Sequence, residues 1–119
     1  MIRARKHTDD HGIKHYEMFG PLFFGSVELF NSKFDVKNDP KEVVVDFAES
    51  RVVDQSAIEA LNKLAERYQK NGKTIHLRHL APDCVKLIKR AEKICDVNML
   101  EDPDYFVAID DYNKALERV

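Results

Sequence analysis

The residues best placed to do chemistry in this sequence lie in one stretch, Val52-Val53-Asp54-Gln55-Ser56-Ala57-Ile58-Glu59. A β-branched run hands over there to an amphipathic segment, so a hydroxyl and two carboxylates fall at a strand-to-helix corner. Ser56 followed by Glu59 reads as a capping box, in which the hydroxyl accepts an N–H of the first turn and the carboxylate reaches back to Ser56. A cap of this kind contributes about 1 kcal/mol, which is reason enough for these residue types. The same geometry suits a phosphoacceptor, because free N–H groups and the helix dipole favour a phosphate. Nearly two added negative charges beside Asp54 and Glu59 would change which partner can dock. The carboxyl end of a strand is also where open α/β sheets bind their ligands.

Other candidates point less far. His7, His11 and His15 share a four-residue spacing that would align them on a helix, but Gly12 and the alternation after it argue against one. His76 and His79 fall on opposite faces of a strand, so no metal is expected. Cys84 and Cys95 lie on one helical stripe, about 16 Å apart at standard rise, and read as small core residues, neither bridged nor nucleophilic. Lys86, Lys89, Arg90 and Lys93 form a basic face opposite that stripe. It reads first as a solvated surface, and second as a contact for anionic headgroups or an acidic partner. There is no glycine-rich phosphate loop, no GxSxG elbow and no HExxH, so neither an enzyme nor a cofactor is expected.

The elements that must position these residues follow from periodicity. Residues 1–12 read as an arm, linker or short strand ending in a turn. Tyr16 and Met18 alternate with His15 and Glu17, which predicts a half-buried strand from Ile13 to Phe19, broken at Gly20-Pro21. Leu22-Phe23-Phe24 predicts a second short strand, with one phenylalanine left exposed, followed by a short helix presenting Val27, Phe30 and Phe34 on one face. Asn38-Asp39-Pro40 is a turn, and Glu42 to Ala48 is a strand covered on both faces. Ala57, Leu61, Leu64, Ala65 and Tyr68 make one helical stripe ending at Asn71-Gly72, where Gly72 suits a left-handed cap. Thr74 to Leu80 predicts a strand, Pro82 opens a helix, Tyr105 to Ile109 a last strand, and Tyr112 to Val119 a terminal helix. This alternation predicts an α/β domain with a parallel or mixed sheet and helical crossovers.

Composition sets the outer bounds. A chain of 119 residues fits one domain, and a net charge of −2 argues against non-specific nucleic-acid binding. Its longest apolar runs fall far short of the roughly 20 residues a membrane span needs, so no membrane insertion by this chain itself is expected.

Asp54-Gln55-Ser56-Ala57 after a valine-rich strand, with Gly20-Pro21-Leu22-Phe23-Phe24-Gly25 upstream, resembles the STAS domain, and in particular the STAS tails of bacterial SulP-type anion transporters. The resemblance runs from about Ile13 to Ile109, and implies a STAS domain over 13–119 behind an arm at 1–12. It implies a mixed sheet of four or five strands with helices mainly on one side. It further implies a regulatory and protein-interaction role at the cytoplasmic face of the inner membrane. The implied partners are the transporter's own transmembrane domain, a second copy or a cytosolic regulatory protein. Anti-sigma-factor antagonists of the same family carry Asp-Ser-Ser-Gly at this corner and are phosphorylated on the second serine, which Ser56 matches. Gln55 and Ala57 depart from that pattern, which favours the transporter tail over a free-standing phosphorylation switch. The expected working surface is Asp54, Gln55, Ser56, Ala57 and Glu59 together with Gly20, Pro21, Leu22, Phe23 and Phe24.

Overall fold

Val43, Val44 and Val45 are all fully buried, so the strand that carries them is covered on both faces, as its unbroken apolar run requires. That strand, β3 (Glu42–Val52), is the third of five in the order β1-β2-β3-β4-β5, with β1 at Arg3–Thr8, β2 at Lys14–Leu22, β4 at Thr74–Arg78 and β5 at Asn98–Leu100. The computed structural model describes residues 1–90 and 98–100, with side chains described through residue 86. β1 pairs antiparallel with β2, and every later neighbour is parallel.

The crossovers are a short 3₁₀ turn, Phe24–Ser26, leading into α1 (Val27–Asn31), then α2 (Gln55–Lys70) and α3 (Pro82–Arg90). From β2 onward the strands are added in one direction, so right-handed crossovers place all three helices on one face of the sheet. The expected mixed sheet with one helical layer is therefore what forms. The core lies between the two layers, where Tyr16, Met18, Val43, Val45, Ile75 and Leu77 of the sheet meet Phe30, Ile58, Leu61, Leu64 and Tyr68.

Several boundaries differ from the expectation. Of residues 1–12, Arg3–Thr8 form β1 at the sheet edge, the short-strand alternative of the expectation and not a bare arm or linker. Gly20-Pro21 does not end β2, which continues to Leu22. Gly20 takes φ 87, and a Cβ there would sit 2.7 Å from the Met1 carbonyl oxygen, so glycine lets the strand pass beneath the N-terminal segment. Leu22-Phe23-Phe24 is accordingly no separate strand: Leu22 closes β2 and Phe24 opens the 3₁₀ turn. Phe34 lies beyond the end of α1, yet it is buried with its ring 4.9 Å from that of Phe30. β3 runs on past Ala48 to Val52, with a register irregularity opposite Glu17–Phe19. β4 stops at Arg78, and His79 at φ 59 turns the chain away while its Nδ1 lies 2.7 Å from Asp46 Oδ1. Gly72 has the left-handed φ of 70 expected just past α2. The sequence reading has no strand at Asn98–Leu100, and its elements from Tyr105 onward lie outside the described residues.

A buried carboxylate ties the layers together. Asp39, read in the sequence only as part of a turn, accepts hydrogen bonds from Tyr16 Oη and Tyr68 Oη at 2.5 Å each, and from Lys14 Nζ at 2.6 Å. Burial by itself would raise the Asp39 pKa, but these three donors hold it below its ordinary value of 3.8. Burial and the neighbouring carboxylate push both phenols up, so each keeps the proton it donates. Because the Asp39 pKa is lower in the folded chain than in the unfolded one, its contribution is present above about pH 4 and lost as pH falls further. Asp39→Asn is expected to lower stability by about 3 kcal/mol at pH 7 and to flatten the loss between pH 4 and 2. Urea unfolding of both proteins across that range measures it.

Candidate functional site

The corner after β3 is capped two residues earlier than Ser56 and Glu59 predict. Asp54 has extended backbone (φ −142, ψ 178), and its Oδ1 accepts the Ala57 N–H at 3.0 Å, so α2 begins at Gln55. Ser56 lies inside the helix, where its side chain no longer faces the open amides, and the expected Ser56–Glu59 capping box does not form. The hydroxyl is thereby released from a capping role. Ser56 is partly exposed, Gln55 and Glu59 are exposed, and Ala57 is buried against the core.

The second oxygen of Asp54 does something the sequence did not indicate. Oδ2 accepts the Phe24 N–H at 3.0 Å, joining the two segments that the resemblance singled out separately. The Val53 N–H donates to the Leu22 carbonyl at 2.9 Å, a second link between them. The Gly20–Gly25 segment is shaped from within by Ser26, whose hydroxyl donates to the Pro21 carbonyl at 2.9 Å and accepts the Phe23 N–H at 3.1 Å. A Cβ at Gly25 would lie 2.6 Å from the Phe23 ring, so the turn packs that ring where a side chain would go. The Phe23 and Phe24 rings meet edge to face with centroids 5.7 Å apart.

Part of what this corner shows to solvent is apolar. Phe24 is 74% exposed and Val53 56%, and with Met1 they are the exposed large hydrophobic residues among those described. One phenylalanine, Phe24, is exposed as expected, though from the 3₁₀ turn and not from a strand face, while Leu22 is fully buried and Pro21 is exposed. Asp54 brings Phe24 and Val53 to one place from positions far apart in the chain.

The remaining candidates do not join this corner. His7 and His15 are cross-strand neighbours with rings stacked at 4.7 Å, and His15 Nε2 lies 2.7 Å from Asp9 Oδ2. His76 Nε2 meets Glu42 at 2.6 Å on β4. Cys84 is buried, and Cys95 lies outside the described residues. Of the basic face, Lys86 is exposed, the side chains of Lys89 and Arg90 fall beyond those described, and Lys93 lies outside altogether. No helix among the described residues is long and apolar enough to cross a membrane.

The STAS domain family matches residues 4–102. The chain belongs to that family. STAS domains are regulatory and binding domains, which bind partner proteins and can belong to transporters. In sequence the chain is 30% identical over 89 residues to a protein of Bacillus subtilis (strain 168) named "Putative sulfate transporter YbaR". That alignment takes in 75% of this chain but 19% of the relative's length. In structure it resembles the STAS domain of an antisigma-factor antagonist from Rhodobacter sphaeroides, with a TM-score of 0.60 at 24% identity over 65% of this chain and 85% of that one. It also resembles the anti-sigma factor antagonist SpoIIAA in its unphosphorylated form, with a TM-score of 0.65 at 15% identity, covering 93% of this chain and 98% of the other. Both structures show the STAS fold.

The placement of the cap yields a direct test. Asp54→Ala loses the cap and the Phe24 link together, and is expected to cost about 2 kcal/mol. Ser56→Ala should change stability by less than about 0.5 kcal/mol, because Ser56 holds no cap. Chemical denaturation of the two variants beside the parent chain compares them.

Proposed function

We propose that this domain is the cytoplasmic regulatory and protein-interaction domain of a SulP-type anion transporter. In this reading the Asp54 corner docks on the transporter's own transmembrane domain. The observation that carries it is the joining by one carboxylate of two segments, each with an exposed apolar side chain, Phe24 on one and Val53 on the other. Exposed aromatic residues are enriched at the core of protein–protein contacts, and Phe24 supplies one here. Support for a transporter as the setting comes from the similarity to the sulfate transporter-named relative, of which this chain spans a small part.

A second reading is favoured by the partial exposure of Ser56 in the first turn of α2. As a free-standing switch, the domain would bind an anti-sigma factor or kinase, and phosphate on Ser56 would add repulsion beside Asp54 and Glu59. Reading the gene upstream of Met1 separates the two: ten or more apolar segments support the transporter, and their absence supports the switch.

Docking itself is tested by Phe24→Asp, which alters an exposed side chain and should leave the fold intact. Its affinity for the transmembrane domain, measured with purified parts in detergent, is expected to fall about tenfold or more. An affinity equal to that of the parent chain would remove this corner from the interface.

A further inference from the structure

β3 and β4 differ in length, and the mismatch leaves a strand edge with a defined chemistry. β3 spans eleven residues, Glu42–Val52, whereas β4 spans five and pairs only with Glu42–Asp46. On its other side β3 stays paired to the end, with Glu49, Ser50, Arg51 and Val52 opposite Phe19, Gly20, Pro21 and Leu22. Among the described residues nothing pairs with the β4 side of β3 beyond Asp46.

The direction of the backbone groups follows from alternation. The Val53 N–H points to β2, where it meets the Leu22 carbonyl. The register with β2 is regular from Glu49 to Val52, so the amides of Ser50 and Val52 point the opposite way, to the β4 side, where no described residue pairs with them. The Ala48 N–H is already taken by Asp46 Oδ1 at 2.8 Å. A cleft of about 980 Å³ adjoins this edge, lined by Ser50–Val52 of β3 with the following Val53, and across from them by His79–Cys84.

We infer that this edge captures an extended peptide segment of a partner protein as an added strand. The side chains along it specify the segment. Val52 packs against the core, and Leu80 and Cys84 across the cleft are buried and apolar, so every second residue of the incoming strand must be apolar. Glu49 and Arg51 are exposed and share the other face. Opposite-charge pairs across strands are favourable and like charges are not, so the segment carries a basic residue opposite Glu49 and an acidic one opposite Arg51. In the antiparallel orientation, the more stable pairing, its sequence reads apolar–acidic–apolar–basic–apolar. Strand addition of this kind takes affinity from main-chain hydrogen bonds and specificity from alternate side chains. The site lies beside the Asp54 corner but does not depend on it.

The test uses the full chain and two synthetic peptides, acetyl-Val-Glu-Val-Lys-Val-amide and its charge-exchanged form acetyl-Val-Lys-Val-Glu-Val-amide. The first is expected to bind about tenfold more tightly, and E49R/R51E, altering exposed side chains only, reverses the preference. Amide exchange by NMR should slow at Ser50 and Val52 on adding the first peptide, and stay unchanged at Glu49 and Arg51. Three results would overturn the inference. One is Ser50 and Val52 already protected in the free chain at every concentration, meaning that its own residues fill the edge. Another is protection that appears only as the protein concentration rises, meaning a second copy. The third is equal or absent binding of the two peptides at millimolar concentration.

Discussion

One carboxylate, that of Asp54, decides the shape of the surface on which the functional reading rests. Its first oxygen starts α2 by taking the Ala57 amide, and its second takes the Phe24 amide from the crossover after β2. A longer or uncharged side chain would not serve both bonds equally. Glutamate would have to fold back to reach Ala57, and a neutral oxygen would hold each amide more weakly than a charged one. The bland role of the residue and its functional one are therefore inseparable, since the cap is also the clamp.

The clamp acts on a scaffold made rigid elsewhere. Asp39 joins the loop before β3 to Tyr16 and Lys14 on β2 and to Tyr68 near the end of α2. These bonds fix the C-terminal end of α2, while Asp54 fixes its N-terminal end. A helix anchored at both ends by carboxylates, with Leu61 and Leu64 buried between, holds its first turn in a fixed relation to the sheet. A docking corner needs that stability, because ordering mobile groups at the moment of binding costs affinity.

What the sequence made legible was governed by strong periodic signals. The α2 stripe from Ala57 to Tyr68, the buried valines of β3 and the left-handed Gly72 appear as expected, because each rests on local pattern. The family likeness rested on two motifs, and the structure explains why both belong together: Asp54 bonds across them. Elsewhere distant contacts override local preference. Gly20-Pro21 looks like a strand breaker, yet Gly20 serves the close approach of Met1 and β2 continues through it. Ser56 and Glu59 match a capping pattern, but Asp54, two residues earlier, takes the Ala57 amide and starts the helix before Ser56 can cap it. The Asp39 cluster draws on residues far apart in the chain, and no spacing along the sequence signals that two phenols and a lysine converge on one carboxylate.

The bond between Asp54 and the Phe24 amide is the claim on which the single docking corner stands, and amide exchange reads it directly. The Phe24 N–H, otherwise open to solvent, should exchange slowly in the parent chain and at least tenfold faster in Asp54→Ala, while the amides of Val44 and Val45 stay protected in both. A Phe24 amide that exchanges at the free-peptide rate in the parent chain would mean that the two segments are not held together, and the corner would be no single surface.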